Sequence, residues 1–166
     1  MPEVTVRIEE ESDIEAVLDV LEAVGAEGRW IGTEVPFDRR IRADGIRDAL
    51  AHPDTFRGFV AEVDGRVIGS IGLHLAPYGV VSLGMAILDG YRGRRIGTEL
   101  VAHGIDWADQ AGAHKLSLEV WPHNERAIAL YKRMGFVEEG RLQRHYRRRS
   151  GELWGAIVMG LQLRPT

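Results

Sequence analysis

The sequence predicts an α/β or α+β domain, a mixed sheet of about seven strands flanked by four helices. Two periodicities carry this reading. Apolar residues alternate with period two in seven stretches and recur at helical spacing in four. A third observation is their order, β-α-α-β-β-β-α-β-α-β-β, which lacks the regular strand–helix alternation of a doubly wound sheet.

Val4, Val6 and Ile8 alternate with polar residues and give the first strand. Ser12 and Glu15 form a capping-box pattern ahead of Ile14, Val17, Leu18 and Leu21, so a helix follows and ends near Gly25 or Gly28. GRWIGTEVP (28–36) is a loop. A second helix covers Asp38 to Ala51, weakened by Gly45 and stopped by His52-Pro53-Asp54. Phe56 to Val63 and Arg66 to Leu75 flank Asp64-Gly65, a strong hairpin turn. Pro77-Tyr78-Gly79 makes another turn before a strand from Val80 to Leu88. From Arg94 to Ala111, Gly97, Leu100, Val101, Gly104, Ile105 and Ala108 lie along one helical face. Leu116, Leu118 and Val120 form the fifth strand. Ala127, Leu130, Tyr131 and Met134 fall at i, i+3, i+4, i+7, giving a short helix after Asn124 with Gly135 as its C-cap. Two last strands, Phe136 to Gln143 and Leu153 to Leu163, flank an arginine-rich turn.

The 166 residues suit a single domain over 1–166, and 45% hydrophobic content supplies a core. Net charge is −4 and the pI about 5.9, against the basic excess of a nucleic-acid binder. With no cysteine there is no disulfide, thiolate metal site or thiol nucleophile. No histidine spacing resembles a metal site, so no metal is expected. The polar start MPEVTVRIEEESD is unlike a signal peptide, and no apolar run reaches the roughly 20 residues that span a bilayer. A soluble cytoplasmic protein without membrane partners is the expectation.

One stretch stands out. GYRGRRIGTEL (90–100) puts three arginines and three glycines in its first eight positions, between a strand and a helix. Free N–H groups at a helix start and the helix dipole suit a phosphate there, with Arg92, Arg94 and Arg95 adding charge. The same residues read equally well as a plain turn. The stretch is neither a P-loop nor a dinucleotide G-x-G-x-x-G.

ILDGYRGRRIGTELV, followed about 20 residues later by LEVWPHNERAIALYKRMGF, resembles the GNAT N-acetyltransferase superfamily. The resemblance extends from the first strand to the last. It implies a sheet splayed between the fourth and fifth strands, acetyl-CoA as cosubstrate, and an amine acceptor that is a small molecule or a peptide. A homodimer is a common arrangement of such proteins. The family loop Q/R-x-x-G-x-G/A holds the pyrophosphate on backbone amides. Arg92 matches its first position and Gly97 its last, while Arg95 replaces the middle glycine. Gly93, Arg94, Ile96 and Thr98 complete the implied cradle. The expectation for Arg95 is a helical backbone with its side chain swung outward. The alternative is weakened cofactor binding. Asn124 matches the position that contacts the pantetheine or caps the helix. Backbone groups near Ile87 pair with the pantetheine and polarise the thioester carbonyl.

Tyr131 matches the tyrosine near the thioester sulfur, where it acts as general acid; read alone it is a core residue. The base is open among Glu119, Glu34, His74 and a water chain. Trp30, Glu34 and His74 are the acceptor-site candidates, with Phe37 beside them, and His123 can face the cofactor or solvent. The basic run RLQRHYRRRSGE (141–152) reads as a solvated turn or as a seat for an acidic acceptor. Against direct acetyl transfer to a primary amine stand two other readings: a non-catalytic acyl-CoA-binding regulatory module, and a nucleotide-phosphate site.

Overall fold

The computed structural model describes residues 2–164. Its seven strands are β1 (Val4–Ile8), β2 (Phe56–Val63), β3 (Arg66–Leu75), β4 (Val80–Ile87), β5 (Lys115–Val120), β6 (Val137–Arg147) and β7 (Leu153–Gln162). The helices are α1 (Ile14–Glu27), α2 (Arg39–Leu50), α3 (Ile96–Gln110) and α4 (Glu125–Arg133). The sheet order is β1-β2-β3-β4-β5-β7-β6. Neighbours are antiparallel except β4 and β5, which run parallel because α3 carries the chain back between them.

The two faces of the sheet are covered differently. Phe59, Ala61, Ile71 and Leu73 point to the side packed by Leu100, Val101 and Ala108 of α3 and Tyr131 of α4. Val60, Val67 and Ala86 point the other way, against Val17, Val20 and Val24 of α1. Ala43 of α2 closes on Ile14 and Leu18. Alternation along β2 and β3 thus feeds two apolar layers rather than one.

Two local expectations are corrected and one is refined. The first helix is not entered through Ser12 and Glu15. A 3-10 turn, Glu11–Asp13, precedes it, and Glu10 N donates to Asp13 Oδ2 at 2.8 Å. Arg7 selects this arrangement, because its guanidinium grips both Asp13 oxygens at 2.8 Å. Gly135 closes α4 as expected, from one residue past the C-cap Met134, with φ 100 and Phe136 N bonded back to Tyr131 O. Finally, β6 runs on to Arg147, so much of the basic run lies in a strand and the turn is confined to 148–152. Among the described residues, no helix is long and apolar enough to cross a membrane.

Candidate active site

β4 and β5 pair only through Val80–Lys115, Val81–Leu116 and Ser82–Ser117. From Leu83 to Ile87, β4 runs without β5 beside it, while β5 continues along β7 as far as Val120–Ile157. The sheet therefore parts in its middle, and one edge of β4 loses its strand partner. Peptide groups left there seek hydrogen bonds, so the gap is a seat for an extended ligand. A cleft of about 1910 Å³ opens from the gap across the α1 and α2 face.

The arginine–glycine loop closes one end. Ile96, Gly97 and Thr98 are the first residues of α3, and the first α-helical bond of that end runs from Glu99 N to Arg95 O. The amides before Glu99 have no partner inside the helix. Gly93, Arg95, Gly97 and Thr98 line the cleft. Gly97 is required by close packing, since a Cβ there would lie 2.9 Å from Leu130 Cδ1. The start of α3 thus sits tight against α4 and below the gap, an arrangement that fits a phosphate on backbone amides.

Arg95 does not take the right-handed helical backbone expected for it. Its φ and ψ are 64 and 9, the left-handed region. The loop needs this geometry at the helix entry, and the sequence supplies it without glycine at a cost of about 1 kcal/mol. Its side chain is exposed, as expected. Arg95→Gly should therefore raise stability by about 1 kcal/mol in urea denaturation. A loss instead would show that the side chain contributes more than its backbone costs.

Arg92 is spent on holding the loop. Its Nε donates to Ile87 O at 2.9 Å, and its two Nη atoms donate to both Glu27 oxygens at 2.8 and 2.6 Å. This pairing holds the Glu27 carboxyl below its ordinary range. The end of β4, the loop and the C-terminus of α1 are thereby tied at one residue. Arg94 lies over the Tyr91 ring, 5.6 Å from its centroid.

Tyr131 faces the cleft from α4 and is 6% exposed. Its ring packs edge-on against Phe136 at 5.6 Å. Burial pushes the phenol well above its usual range, so it stays protonated. Asn124 caps α4, accepting from Ala127 N at 3.3 Å.

A profile of the Acetyltransferase (GNAT) family matches residues 14–136. The chain belongs to this family. The N-alpha-acetyltransferase MAK3 of Arabidopsis thaliana is 33% identical over 93 residues, 53% of this chain and 48% of that protein. The spermidine N(1)-acetyltransferase of Escherichia coli K12 is 27% identical over 118 residues, 68% of this chain and 62% of that one. The chain spans about half to about two thirds of these relatives' length. A GCN5-related N-acetyltransferase from Kribbella flavida superposes with a TM-score of 0.83 at 25% identity, covering 96% of this chain and 98% of that one. The Salmonella typhimurium yncA chain, solved with its cofactor acetyl-CoA, shares the fold with a TM-score of 0.86 at 18% identity, over 98% and 95% of the two chains.

The other residues expected of a GNAT site, Phe37 excepted, reach the cleft in different states. Glu119 is exposed and lines it, and it accepts the Tyr146 hydroxyl at 2.7 Å. Glu34 lines it too, but both of its oxygens accept Arg149 N at 3.2 Å, which ties the α1–α2 loop to the β6–β7 turn. His74 stands at the parting of the strands: its cross-strand neighbour Ser82 is the last β4 residue paired with β5. His74 is exposed at the cleft, yet partial desolvation by its neighbours lowers its pKa and favours neutral imidazole. Its ring lies 4.7 Å from that of Phe56. Trp30 donates to Glu27 Oε1 at 3.1 Å and carries the Arg29 guanidinium 4.6 Å above its ring. Phe37 packs with the core of α1 and α2, under Arg42. His123 is held by Arg29 O at 2.6 Å. Among the described residues, no group of three metal-ligating side chains occurs.

Sequence reasoning missed two residues of the wall. Arg148 is 7% exposed, wedged over Trp121 at 5.2 Å and Trp154 at 4.4 Å. Nothing in a run of arginines marks which one is buried. Glu9 is 6% exposed and lines the cleft from the end of β1. Its signal was indirect: strict alternation from Val4 through Ile8 puts residue 9 on the face opposite those apolar side chains.

Proposed function

We propose that this chain is an acetyl-CoA-dependent N-acetyltransferase, a single domain over residues 1–166 acting in the cytoplasm. The acceptor is a primary amine of a small molecule, an amino acid or a protein N-terminus. One observation carries the reading. The gap between β4 and β5, the open start of α3 and the phenol of Tyr131 all face one cleft.

Backbone groups of Leu83 to Ile87 on β4 are the partners for the pantetheine arm, and the amides of Gly93 to Thr98 for the diphosphate. Asn124 fixes the start of α4 and so the place of Tyr131. Bound acetyl-CoA supplies an activated acyl group as its thioester. The chain's own residues then have two proton tasks. The attacking amine must shed a proton, and neutral His74 at the mouth of the gap is the best-placed acceptor. Glu119 and Glu34 are less free, being engaged by Tyr146 and Arg149. The departing thiolate needs a hydrogen bond, and Tyr131 holds the O–H for it.

The test is release of CoA from acetyl-CoA, read with a thiol reagent across amines, amino acids and N-terminal peptides. The chain's lack of cysteine keeps its own signal low. Release that depends on an added acceptor is the expected result. CoA binding without release for any acceptor class would make the chain an acyl-CoA-binding module.

A further inference from the structure

Glu9 is the carboxylate that the chemistry above leaves unused. Its N–H extends the β1–β2 ladder, donating to Gly58 O at 2.8 Å. Its side chain is buried, and Oε1 has no hydrogen-bond partner among the described residues. The nearby cation Arg7 is taken by Asp13 and Glu62. A buried carboxylate without a cation or donor is an unmet demand, and this one borders the cleft.

The sheet surface beside it is bare. Gly58 pairs across to Gly72, and Gly72 to Gly84, so three glycines stand in register on β2, β3 and β4, continuing the row that Glu9 begins. A Cβ on Gly58 would collide with Glu9 Oε2. One on Gly72 would meet the Phe56 ring at 3.6 and 3.8 Å, and one on Gly84 would meet nothing within 4 Å. The carboxylate thus lies over the first glycine, an apolar ring borders the second, and the third opens beside the parting of β4 from β5. Two strand spacings separate the first glycine from the last, about 10 Å.

We propose that this glycine row is an acceptor trough and that Glu9 binds a second, cationic group of the acceptor. The substrate class is an elongated amine. Its reacting nitrogen lies near Gly84, an apolar stretch passes Phe56, and an ammonium or guanidinium ends about 10 Å away at Glu9. This rests on the acetyltransferase reading, which places the acyl group at the gap.

The experiment uses straight-chain α,ω-diamines and the monoamines of matching length, titrated by calorimetry into the CoA-loaded protein. Wild type should bind the diamine of matching span at least about tenfold more tightly than its monoamine, and Glu9→Gln should bring that ratio close to one. The same ratio in kcat/KM should fall in parallel. Equal affinity for both amines in wild type, or an unchanged ratio in the variant, overturns the inference. So does a variant that loses both amines equally, the mark of a structural role. Acetylation of monoamines without diamine preference would sink this inference alone. Diamine binding through Glu9 without any acetylation would sink the acetyltransferase reading and leave the subsite standing.

Discussion

Tyr131→Phe is expected to lower turnover by on the order of 10²-fold or more, with the loss in kcat. The substitution keeps the ring that packs on Phe136 and deletes only the hydroxyl. The residue is almost fully buried and its phenol is held neutral by that burial. A thiol leaves as thiolate near pKa 8.5, well below the phenol, so full proton transfer would strand a phenolate in an apolar wall. On the proposed acetyltransferase reading, Tyr131 would donate a hydrogen bond that strengthens as charge builds on sulfur, with solvent delivering the proton afterwards. Steady-state turnover alongside thermal melting with and without CoA separates this from misfolding. Turnover within about twofold of wild type, with stability intact, would remove Tyr131 from the chemistry.

The second large effect is on stability. Burial, helped by the charge of Asp13, pushes the Glu9 carboxyl up to about 7 from an ordinary 4.5. The folded state then holds a proton that the unfolded chain has released, so stability is highest below the unfolded value and falls as pH rises to about 7. The shift corresponds to about 3 kcal/mol of stability lost across that window. Asp13 works in the opposite sense: Arg7 lowers its pKa, so its contribution disappears only in acid below the carboxylate range. The two are separable by pH. Glu9→Gln should flatten the decline between about pH 4.5 and pH 7 in urea denaturation while leaving the acid limb. Parallel slopes for wild type and variant would show that Glu9 finds a partner in solution.

Apart from β6, which runs four residues beyond its expected end, the strands were legible to within a residue at each end. Alternation marks β2 and β3, and Asp64-Gly65, both at positive φ, fixes the hairpin between them. The parting of β4 from β5 was legible only through family resemblance, because both strands carry ordinary β patterns and the divergence is a matter of what α3 does between them. The loop was read correctly as the entry to α3, but the conformation of Arg95 was not. Residue type argues for a right-handed backbone there, and the fold overrides it. Site residues divided by range. Tyr131 and Asn124 were picked out by family resemblance to a local motif; read alone, Tyr131 is a core residue and Asn124 a helix cap. Glu9, Arg148 and the paired state of Glu34 depend on contacts about 50 to 116 positions apart in the chain, such as Glu9 with Gly58 and Arg148 with Gly32.

The short β4–β5 ladder has a mechanical meaning. Three residue pairs join a four-stranded wing, β1 to β4, to a three-stranded wing, β5, β7 and β6. Every other seam between neighbouring strands is longer. An extended ligand arm in the gap would act as a surrogate strand, supplying the pairing that the polypeptide leaves out and fastening the wings together. Cosubstrate affinity and rigidity of the sheet are then one property, and a change that loosens the seam near Ser82 and Ser117 would be felt as weaker binding, even far from any group that touches the ligand.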